Sequence, residues 1–229
     1  MSQEIILHQW EISPFCQKVA RALRYKGLEY STVDYNGLLG TKVMRLSKVG
    51  KVPVLEVDGE RIQDSTRIVR WLDEHYPKPA LYPSSAKQRA LVDLWEDWSD
   101  ELLYWYEVHF RANDPKALKE AVRLSCVGRP AAERVAVQAT LKLTLNAQLK
   151  SQGLGRMSKE DIRSSFLGLL DRVETSLQPS GWLVGKSMTV ADIAVGSQFL
   201  EVERTSDSMR PELWKRPKLA AMLERIKAI

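Results

Sequence analysis

A serine and a cysteine stand three residues apart near the start of the chain, at Ser13 and Cys16. Serine is a favoured N-cap and proline is favoured at the first helical position, so Ser13-Pro14 predicts the start of a helix. The first N–H groups of a helix have no acceptor within it, and the positive end of the helix dipole stabilises an anion. This segment is therefore a candidate site for an anionic group, with the Ser13 hydroxyl as a further donor.

A second helix start with similar chemistry lies at Asp64-Ser65. It follows Asp58-Gly59, a dipeptide that favours a hairpin turn. Its exposed N–H groups and the Ser65 hydroxyl would bind a carboxylate, although an ordinary helix cap explains either residue equally well. Two lysines before it, Lys42 and Lys51, are candidates for pairing with another carboxylate. A charged loop is more often only solvated.

The first third of the chain is predicted to alternate between strands and helices. These elements would position the two helix starts, at Ser13 and at Asp64. The pattern predicts strand–helix–strand, a basic irregular link, then strand–strand–helix. The predicted elements are a strand at 5–7, a helix from Pro14 that Gly27 ends, a strand at 29–35, one helical turn within the link at 43–46, strands at 52–57 and 61–63, and a helix from Asp64-Ser65 to about His75. Pro53 stands at the start of its strand, where a strand tolerates proline.

The rest of the chain carries helical periodicity and no convincing strand. A linker at 77–86 separates a domain at 1–82 from an all-helical domain at 87–229. Thr189 and Asp192 form a capping box at one helix start. The further predicted helices are 131–152, 159–177, 190–203 and 217–228. Leu91, Trp95, Trp98, Leu102 and Trp105 follow helical spacing, and this apolar stripe predicts a core-facing side.

Composition excludes several classes of protein. The chain has 229 residues, of which 44% are hydrophobic and 28% charged, which is typical of a globular protein. The net charge of +5 is interleaved with acids rather than clustered, so we expect no nucleic-acid partner. No apolar run approaches the ~20 residues of a membrane span, and no secretory signal is evident, so we expect a cytoplasmic protein without a membrane partner. Cysteines and histidines occur singly, which predicts no metal site.

Four motifs in this order resemble the glutathione transferase superfamily. They are the segment from Ser13 to Val19, the segment from Gly50 to Leu55, the pair Asp64-Ser65 and the capping-box segment from Ser187 to Ile193. The resemblance spans nearly the whole chain and is to serine-type members, theta- and zeta-like or bacterial. It implies an α/β thioredoxin-like N-terminal domain followed by an all-α helical bundle. It also implies glutathione as co-substrate, a homodimer and a role in detoxification.

The resemblance implies a glutathione-binding role for individual residues. Ser13 would hold the glutathione sulfur as thiolate, and the N–H groups at Phe15 and Cys16 would assist. Val52 would pair with the peptide backbone of glutathione, because Pro53 follows a cis bond in this superfamily. Asp64 would take the γ-glutamyl amine, Ser65 the γ-glutamyl carboxylate and Lys51 the glycyl carboxylate, with Lys42 as a weaker candidate.

The hydrophobic electrophile would lie between the two domains. The candidate walls are Trp10, Tyr104, Tyr106 and Phe110. Two other functions stay open. In one, Cys16 is the reactive group of a glutathione thiol transferase or peroxidase, although a buried packing residue is the commoner state of such a cysteine. In the other, the fold is a non-catalytic interaction module. Cys126 has no motif around it and receives no role.

Overall fold

The computed structural model describes residues 4–229 of the chain. Within them the N-terminal part contains a four-stranded sheet in the order β2-β1-β3-β4. The strands are β1 (Ile5–Gln9), β2 (Ser31–Asp34), β3 (Val54–Val57) and β4 (Glu60–Gln63). β1 runs parallel to β2 and antiparallel to β3, and β3 runs antiparallel to β4. The first three residues of the predicted 1–82 domain lie outside the described residues.

Three helices accompany this sheet. They are α1 (Pro14–Tyr25), α2 (Val43–Leu46) and α3 (Ser65–His75), with a 3₁₀ turn at Gly37–Lys42. The predicted strand–helix–strand, link, strand–strand–helix order is therefore observed. Gly27, at φ 68°, lies just beyond the end of α1, in a conformation that favours glycine. Buried residues of α1 and α3 join β1 and β3 in one core: Leu7, Leu55, Val19, Leu23, Ile68 and Leu72.

The remainder of the described chain is helical. Its helices are α4 (Ala86–Trp98), α5 (Tyr104–Asn113), α6 (Pro115–Ser125), α7 (Glu133–Gln152), α8 (Lys159–Ser176), α9 (Val190–Thr205), α10 (Arg210–Trp214) and α11 (Pro217–Lys227). A π-helical turn at Ser99–Leu103 joins α4 and α5. The predicted helices correspond to α7, α8, α9 and α11, while α6 and α10 were not predicted.

Helix α9 is the centre of the helical part, and nearly all of its residues are buried. The predicted capping box is present: the Asp192 carboxylate accepts bonds from the N–H of Thr189 at 2.8 Å and of Leu183 at 2.7 Å. Gly196 allows α11 to approach, because a Cβ there would lie 2.9 Å from Ile226. Helix α1 packs directly on α9, so this buried helix supports the element that carries Ser13.

The predicted apolar stripe runs from α4 through the π-helical turn into α5, and it faces the core only in part: its three tryptophans pack against the core clusters, whereas its two leucines are exposed. Leu91 and Leu102 are 41% and 40% exposed, and the tryptophans at 95, 98 and 105 are only partly buried. The fully buried face is displaced by one residue and includes Val92 and Glu96. Apolar periodicity did not detect this fully buried face, because it carries polar groups whose partner, a buried lysine on α1, is distant in sequence.

Candidate functional site

The predicted site residues meet at one end of the sheet. His8 near the end of β1 pairs with Val54 at the start of β3, and Val54 pairs with Gln63 at the end of β4. The same end of the sheet therefore carries three chain segments: the one just after Gln9, the one just before Val54 and the one just after Gln63. These three positions carry Ser13, the Val52–Pro53 bond and the Asp64-Ser65 pair respectively.

Ser13 is the N-cap of α1, as the sequence predicts. Its Oγ accepts a hydrogen bond from the Cys16 N–H at 3.4 Å, and Pro14 occupies the first helical position. The Ser13 N–H donates to the Trp10 carbonyl at 2.8 Å, which closes the loop between β1 and α1. Because the cap bond is long, it is weak. The hydroxyl retains a proton that it can donate at the positive end of a 12-residue helix.

Cys16 lies one turn inside α1 and is completely buried. Its Sγ accepts a bond from the Trp10 N–H at 3.5 Å. Burial disfavours the charged form and raises the pKa of the Cys16 thiol to about 12, although the Trp10 and Ser13 hydrogen bonds act in the opposite direction. A reactive cysteine needs an accessible thiolate near neutral pH. The described structure therefore offers no support for the thiol transferase alternative.

The Val52–Pro53 peptide bond is cis. Pro53 is buried and leads directly into β3. The Val52 backbone makes no hydrogen bond to any part of the described chain. Its N–H and C=O are therefore free to pair with an extended peptide ligand, as in strand addition.

Asp64 and Ser65 begin α3, and Asp64 has a strained backbone. Its φ of 79° is uncommon for a residue other than glycine and costs of the order of 1–3 kcal/mol. The Asp64 carboxylate accepts from the Arg67 N–H at 3.1 Å and so caps the helix. Asp64 is exposed whereas Ser65 is buried at the helix start. The first N–H groups of α3 are thus presented at the same sheet end as Ser13.

Gln63 is a site residue that the sequence analysis missed. Its side-chain carbonyl accepts from the Ser47 hydroxyl and from the Lys48 N–H, each at 3.1 Å. Ser47 in turn accepts from the Lys51 N–H at 3.4 Å. These bonds fix the loop that carries Lys48 and Lys51, called here the basic loop, to the end of β4. Within residues 4–229 the ammonium groups of Lys42 and Lys51 form no ion pair, so both remain able to meet an anion.

The four predicted wall residues divide into two groups. Trp10 is half-buried beside the Ser13 loop, and the Tyr104 ring lies 4.9 Å from the Phe15 ring, between centroids. Burial raises the pKa of Tyr104 to about 12, so its hydroxyl stays protonated. Phe110, by contrast, is buried in the main core with its ring 4.9 Å from that of Phe166. Tyr106 packs partly on the same ring, at 6.0 Å.

Two family models match the chain, and together they cover most of it. The glutathione S-transferase N-terminal domain matches residues 7–80, and the glutathione S-transferase C-terminal domain matches residues 146–229. The chain belongs to the glutathione S-transferase superfamily. Members of this superfamily bind glutathione and catalyse its conjugation. The predicted fold class, a thioredoxin-like domain followed by a helical domain, is confirmed.

Curated relatives of this superfamily member are distant. Failed axon connections of Drosophila melanogaster is 26% identical over 80% of this chain and 44% of its own length. A probable glutathione S-transferase of Glycine max is 37% identical over 39% of this chain and 40% of its own length. The chain thus spans less than half the length of these relatives. Glutathione S-transferase U7 of Arabidopsis thaliana is 26% identical over 89% of this chain and 78% of its own.

Solved structures of other proteins share the transferase fold. The beta-etherase LigF from Sphingobium sp. strain SYK-6 has a TM-score of 0.73 at 21% identity, over 100% of this chain and 96% of that one. A rice glutathione S-transferase in complex with glutathione has a TM-score of 0.64 at 19% identity, over 100% and 88%. At these identities the likeness concerns the fold alone.

A buried ionic cluster behind the Ser13 loop was also missed. Arg111 of α5 donates from Nη2 to the Ile12 carbonyl at 2.9 Å and forms an ion pair with Glu107 at 2.5 Å. Arg204 of α9 donates to Glu11 at 2.5 Å. The glutathione transferase helices thereby hold the two residues before Ser13. The Glu107–Arg111 spacing of four was the available signal, but such pairs usually lie on exposed helix faces.

Glu201 completes this cluster from α9. It accepts two bonds from Arg204, at 2.9 and 2.8 Å, and lies 3.9 Å from Arg111. Burial raises the pKa of Glu201 to about 7, against the opposing effects of both arginines. This carboxylate therefore titrates near neutral pH while contacting the residues that hold the Ser13 loop.

A second buried ionic cluster joins α1, α3 and α4. Lys18 is 1% exposed and pairs with Glu96 at 2.6 Å and with Asp100 at 2.8 Å. Thr66, next to Ser65, donates to Glu96 at 3.0 Å. Burial lowers the pKa of Lys18, but the two carboxylates outweigh it, so the pKa is raised and the cluster is charged. These contacts fix the starts of α1 and α3 relative to each other.

Residues 4–229 contain neither a membrane-spanning helix nor a metal-binding group of side chains. No helix there combines the length and apolarity that crossing a bilayer requires. No group of three or more histidine, cysteine, aspartate or glutamate side chains there has metal-binding geometry.

Proposed function

We propose that this chain is a glutathione transferase in which Ser13 holds the glutathione sulfur as a thiolate for attack on a hydrophobic electrophile. The observation that carries the proposal is the position of the Ser13 hydroxyl at the start of α1, at the sheet end shared with the Val52–Pro53 bond and the start of α3. A cytoplasmic role in detoxification is the context we expect for this activity.

The free energy needed to hold the glutathione sulfur as a thiolate is small. A free thiol has a pKa of about 8.5, and lowering it by about 2 units requires ~2.7 kcal/mol of preference for the anion. A hydrogen bond to a charged group contributes about 1.5–3 kcal/mol, and a helix N-terminus contributes about 0.3–1 kcal/mol, or up to ~2 in a partly buried geometry. The Ser13 hydroxyl and the α1 N-terminus together are therefore sufficient, provided that the sulfur lies within hydrogen-bond distance of Oγ.

The remaining site residues would orient the tripeptide. The Val52 N–H and C=O would pair with its cysteinyl backbone. The Ser65 hydroxyl and the first N–H groups of α3 would bind the γ-glutamyl carboxylate, and the exposed Asp64 would accept from the γ-glutamyl amine. Lys51, with Lys42 beyond it, would pair with the glycyl carboxylate.

The reaction then proceeds without a covalent enzyme intermediate. The thiol proton leaves to solvent as glutathione binds. A sulfur lone pair forms a carbon–sulfur bond to the electrophile, and the bond to the leaving group breaks with its electron pair departing on that group. Trp10, Tyr104 and the Phe15 ring would form the apolar wall beside the sulfur, with Tyr106 further along α5.

The experiment compares Ser13→Ala with Cys16→Ala in three assays: retention on immobilised glutathione, the pH dependence of the thiolate absorbance of bound glutathione, and turnover of an aryl halide and an aryl ether. An ether is included because one structural neighbour is a beta-etherase. We expect Ser13→Ala to bind glutathione but to raise its thiol pKa by about 1–2 units and to lower turnover by about 10–100-fold. Cys16→Ala should retain both properties.

Two results would contradict the proposed function and favour one of the alternatives. Loss of turnover in Cys16→Ala alone would favour the thiol transferase. A wild-type protein that neither binds glutathione nor turns over either electrophile would favour a non-catalytic interaction module.

We also propose that the chain forms a homodimer through α4 and the turn that follows it. Leu94 is 64% exposed, and Leu91 and Leu102 are also exposed. An apolar face of this kind on a charged protein is typical of an interface between subunits.

A further inference from the structure

A segment that follows β2 reaches the helical part of the chain at the sheet end that carries Ser13. Because β1 and β2 run parallel and Gln9 pairs with Asp34, residues 36–38 leave the sheet beside the Ser13 loop. They contact residues 127–133, which connect α6 to the start of α7. We call these two segments together the latch.

Two hydrogen bonds join the two segments of the latch. The Leu38 N–H donates to the Glu133 carboxylate at 2.9 Å. The Asn36 side-chain amide donates to the Val127 carbonyl at 3.1 Å. Arg129 donates to the same Glu133 carboxylate from its own segment, with bonds of 2.6 and 3.2 Å. Glu133 thus receives donors from both segments, and its pKa is lowered by the Arg129 hydrogen bonds and, to a smaller degree, by the Leu38 N–H.

Gly37 allows the two segments to approach this closely. Its φ is 60°, and a Cβ at this position would overlap the Glu133 carboxylate and lie 3.0 Å from Cγ of Arg129. Any other residue would therefore strain the backbone and force the two segments apart. The contact depends on one glycine of the N-terminal part and one carboxylate of the helical part.

The latch lies beside the surface on which we place the electrophile. Ile12 of the Ser13 loop is buried in a core cluster with Val108 of α5 and Leu141 of α7. Trp10 and Tyr104, two of the proposed wall residues, pack against the same cluster. The helices that contribute to the latch therefore also support the proposed wall, and the closed latch limits the room beside the glutathione sulfur.

The contacts that hold the latch closed are few. The 3₁₀ turn that contains Leu38 has no buried residue, and Leu38 and Val127 are 52% and 55% exposed. The side-chain oxygen of Asn36 is buried without a hydrogen-bond partner in residues 4–229, so closure leaves one polar group unsatisfied. A segment with few buried apolar contacts opens more readily than the core does.

We propose that the latch, through Glu133, determines the size of the electrophile that the proposed transferase accepts. A small electrophile enters with the latch closed, whereas a long one enters only after the bond between Leu38 and Glu133 opens. The affinity for a long ligand is therefore reduced, because only the open fraction of the molecules can bind it. This inference rests on the proposed function, because it concerns the electrophile side of the same site.

The test measures the binding of S-methylglutathione and S-decylglutathione by calorimetric titration. Glu133→Ala removes the acceptor of the latch. Glu120→Ala is the matched control, because Glu120 also accepts two bonds from an arginine, Arg123, at 2.8 and 2.6 Å, but within α6 alone. We expect Glu133→Ala to tighten S-decylglutathione binding at least about fivefold and to change S-methylglutathione binding less than about twofold. Glu120→Ala should change neither.

Hydrogen exchange at the Leu38 amide measures the opening of the latch directly. Its protection should fall at least about tenfold in Glu133→Ala and stay unchanged in Glu120→Ala. Gly37→Ala opens the latch in a second way and should reproduce the binding result of Glu133→Ala. Gly59→Ala is its control, because Gly59 has a φ of 87° but no atom within 4 Å of an added Cβ.

The outcomes separate this inference from the proposed function. The size selection is overturned, and the role of Ser13 stands, if Leu38 protection is unchanged in Glu133→Ala or if that variant does not tighten S-decylglutathione binding more than S-methylglutathione binding. An S-alkyl glutathione has no thiol, so a Ser13→Ala variant with an unchanged thiol pKa would overturn only the role of Ser13. A wild-type protein that binds neither conjugate would overturn both.

Discussion

Arg111→Met tests whether the buried ionic cluster holds the Ser13 loop. Arg111 is 3% exposed, and the change removes the donor to the Ile12 carbonyl and the ion-pair partner of Glu107. Glu201 retains its two bonds from Arg204. The variant therefore leaves one buried carboxylate and one loop carbonyl without a partner, while methionine fills most of the arginine volume.

The expected loss of stability follows from these contacts. Removing one partner of a buried ion pair costs about 3–5 kcal/mol, because the other charge remains buried. That is a large share of the roughly 5–15 kcal/mol that stabilises a typical domain. Replacing both partners removes the uncompensated charge, so Glu107→Gln/Arg111→Met should lose less stability than Arg111→Met alone.

The assay is urea unfolding of the wild type, Arg111→Met, Glu107→Gln and the double variant, with Arg163→Met as control. Arg163 forms a half-exposed ion pair with Glu212 at 3.0 Å, and such pairs contribute about 0–1 kcal/mol. Burial raises the pKa of Glu107 above its unfolded value even beside Arg111. The Arg111→Met deficit should therefore grow as the pH rises through that pKa and shrink in acid.

A functional measurement separates positioning from general stability. If Arg111 fixes the Ser13 loop, Arg111→Met should lower kcat and raise the thiol pKa of bound glutathione at temperatures where the protein is fully folded. The reasoning is refuted if Arg111→Met is no less stable than Arg163→Met, or if the double variant is the least stable of the set.

Three further outcomes are expected. Native Cys16 should resist iodoacetamide at pH 8 and react only after unfolding, because burial raises its pKa to about 12; rapid alkylation of the folded protein would contradict this. Glu201→Gln should flatten the pH dependence of the unfolding free energy between about pH 4.5 and 7. The pKa of Glu201 is about 7 in the folded state and lower in the unfolded state, so the stabilisation that protonated Glu201 provides is lost as the pH rises. An unchanged pH dependence in the variant would contradict this pKa. Leu94→Glu should convert a dimer to a monomer in sedimentation experiments, whereas Leu143→Glu, on a residue of α7 that is 72% exposed, should not; a monomeric wild type would contradict the proposed dimer.

The sequence predicted the local elements well where their signals are local. Ser13-Pro14, Gly27 and the Thr189–Asp192 box each stabilise a helix end through contacts within a few residues, and each is observed there. The apolar stripe did not identify the fully buried face of α4, because that face includes Glu96, whose ion-pair partner Lys18 lies 78 positions earlier in the sequence. The linker and domain bounds at 77–86 stay predictions.

The amino-acid sequence by itself determined the order of strands and helices in the first third of the chain, and four of its motifs carried the resemblance to the superfamily. The order of elements depends on capping residues, turn dipeptides and periodicity, which act over short distances. Only the tertiary structure decided which groups surround Ser13. Arg111 reaches the Ile12 carbonyl from α5, and Gln63 fixes the basic loop through Ser47. Burial, ion pairing and pKa depend on distances between segments that are far apart along the chain, and the packing of the helices sets those distances.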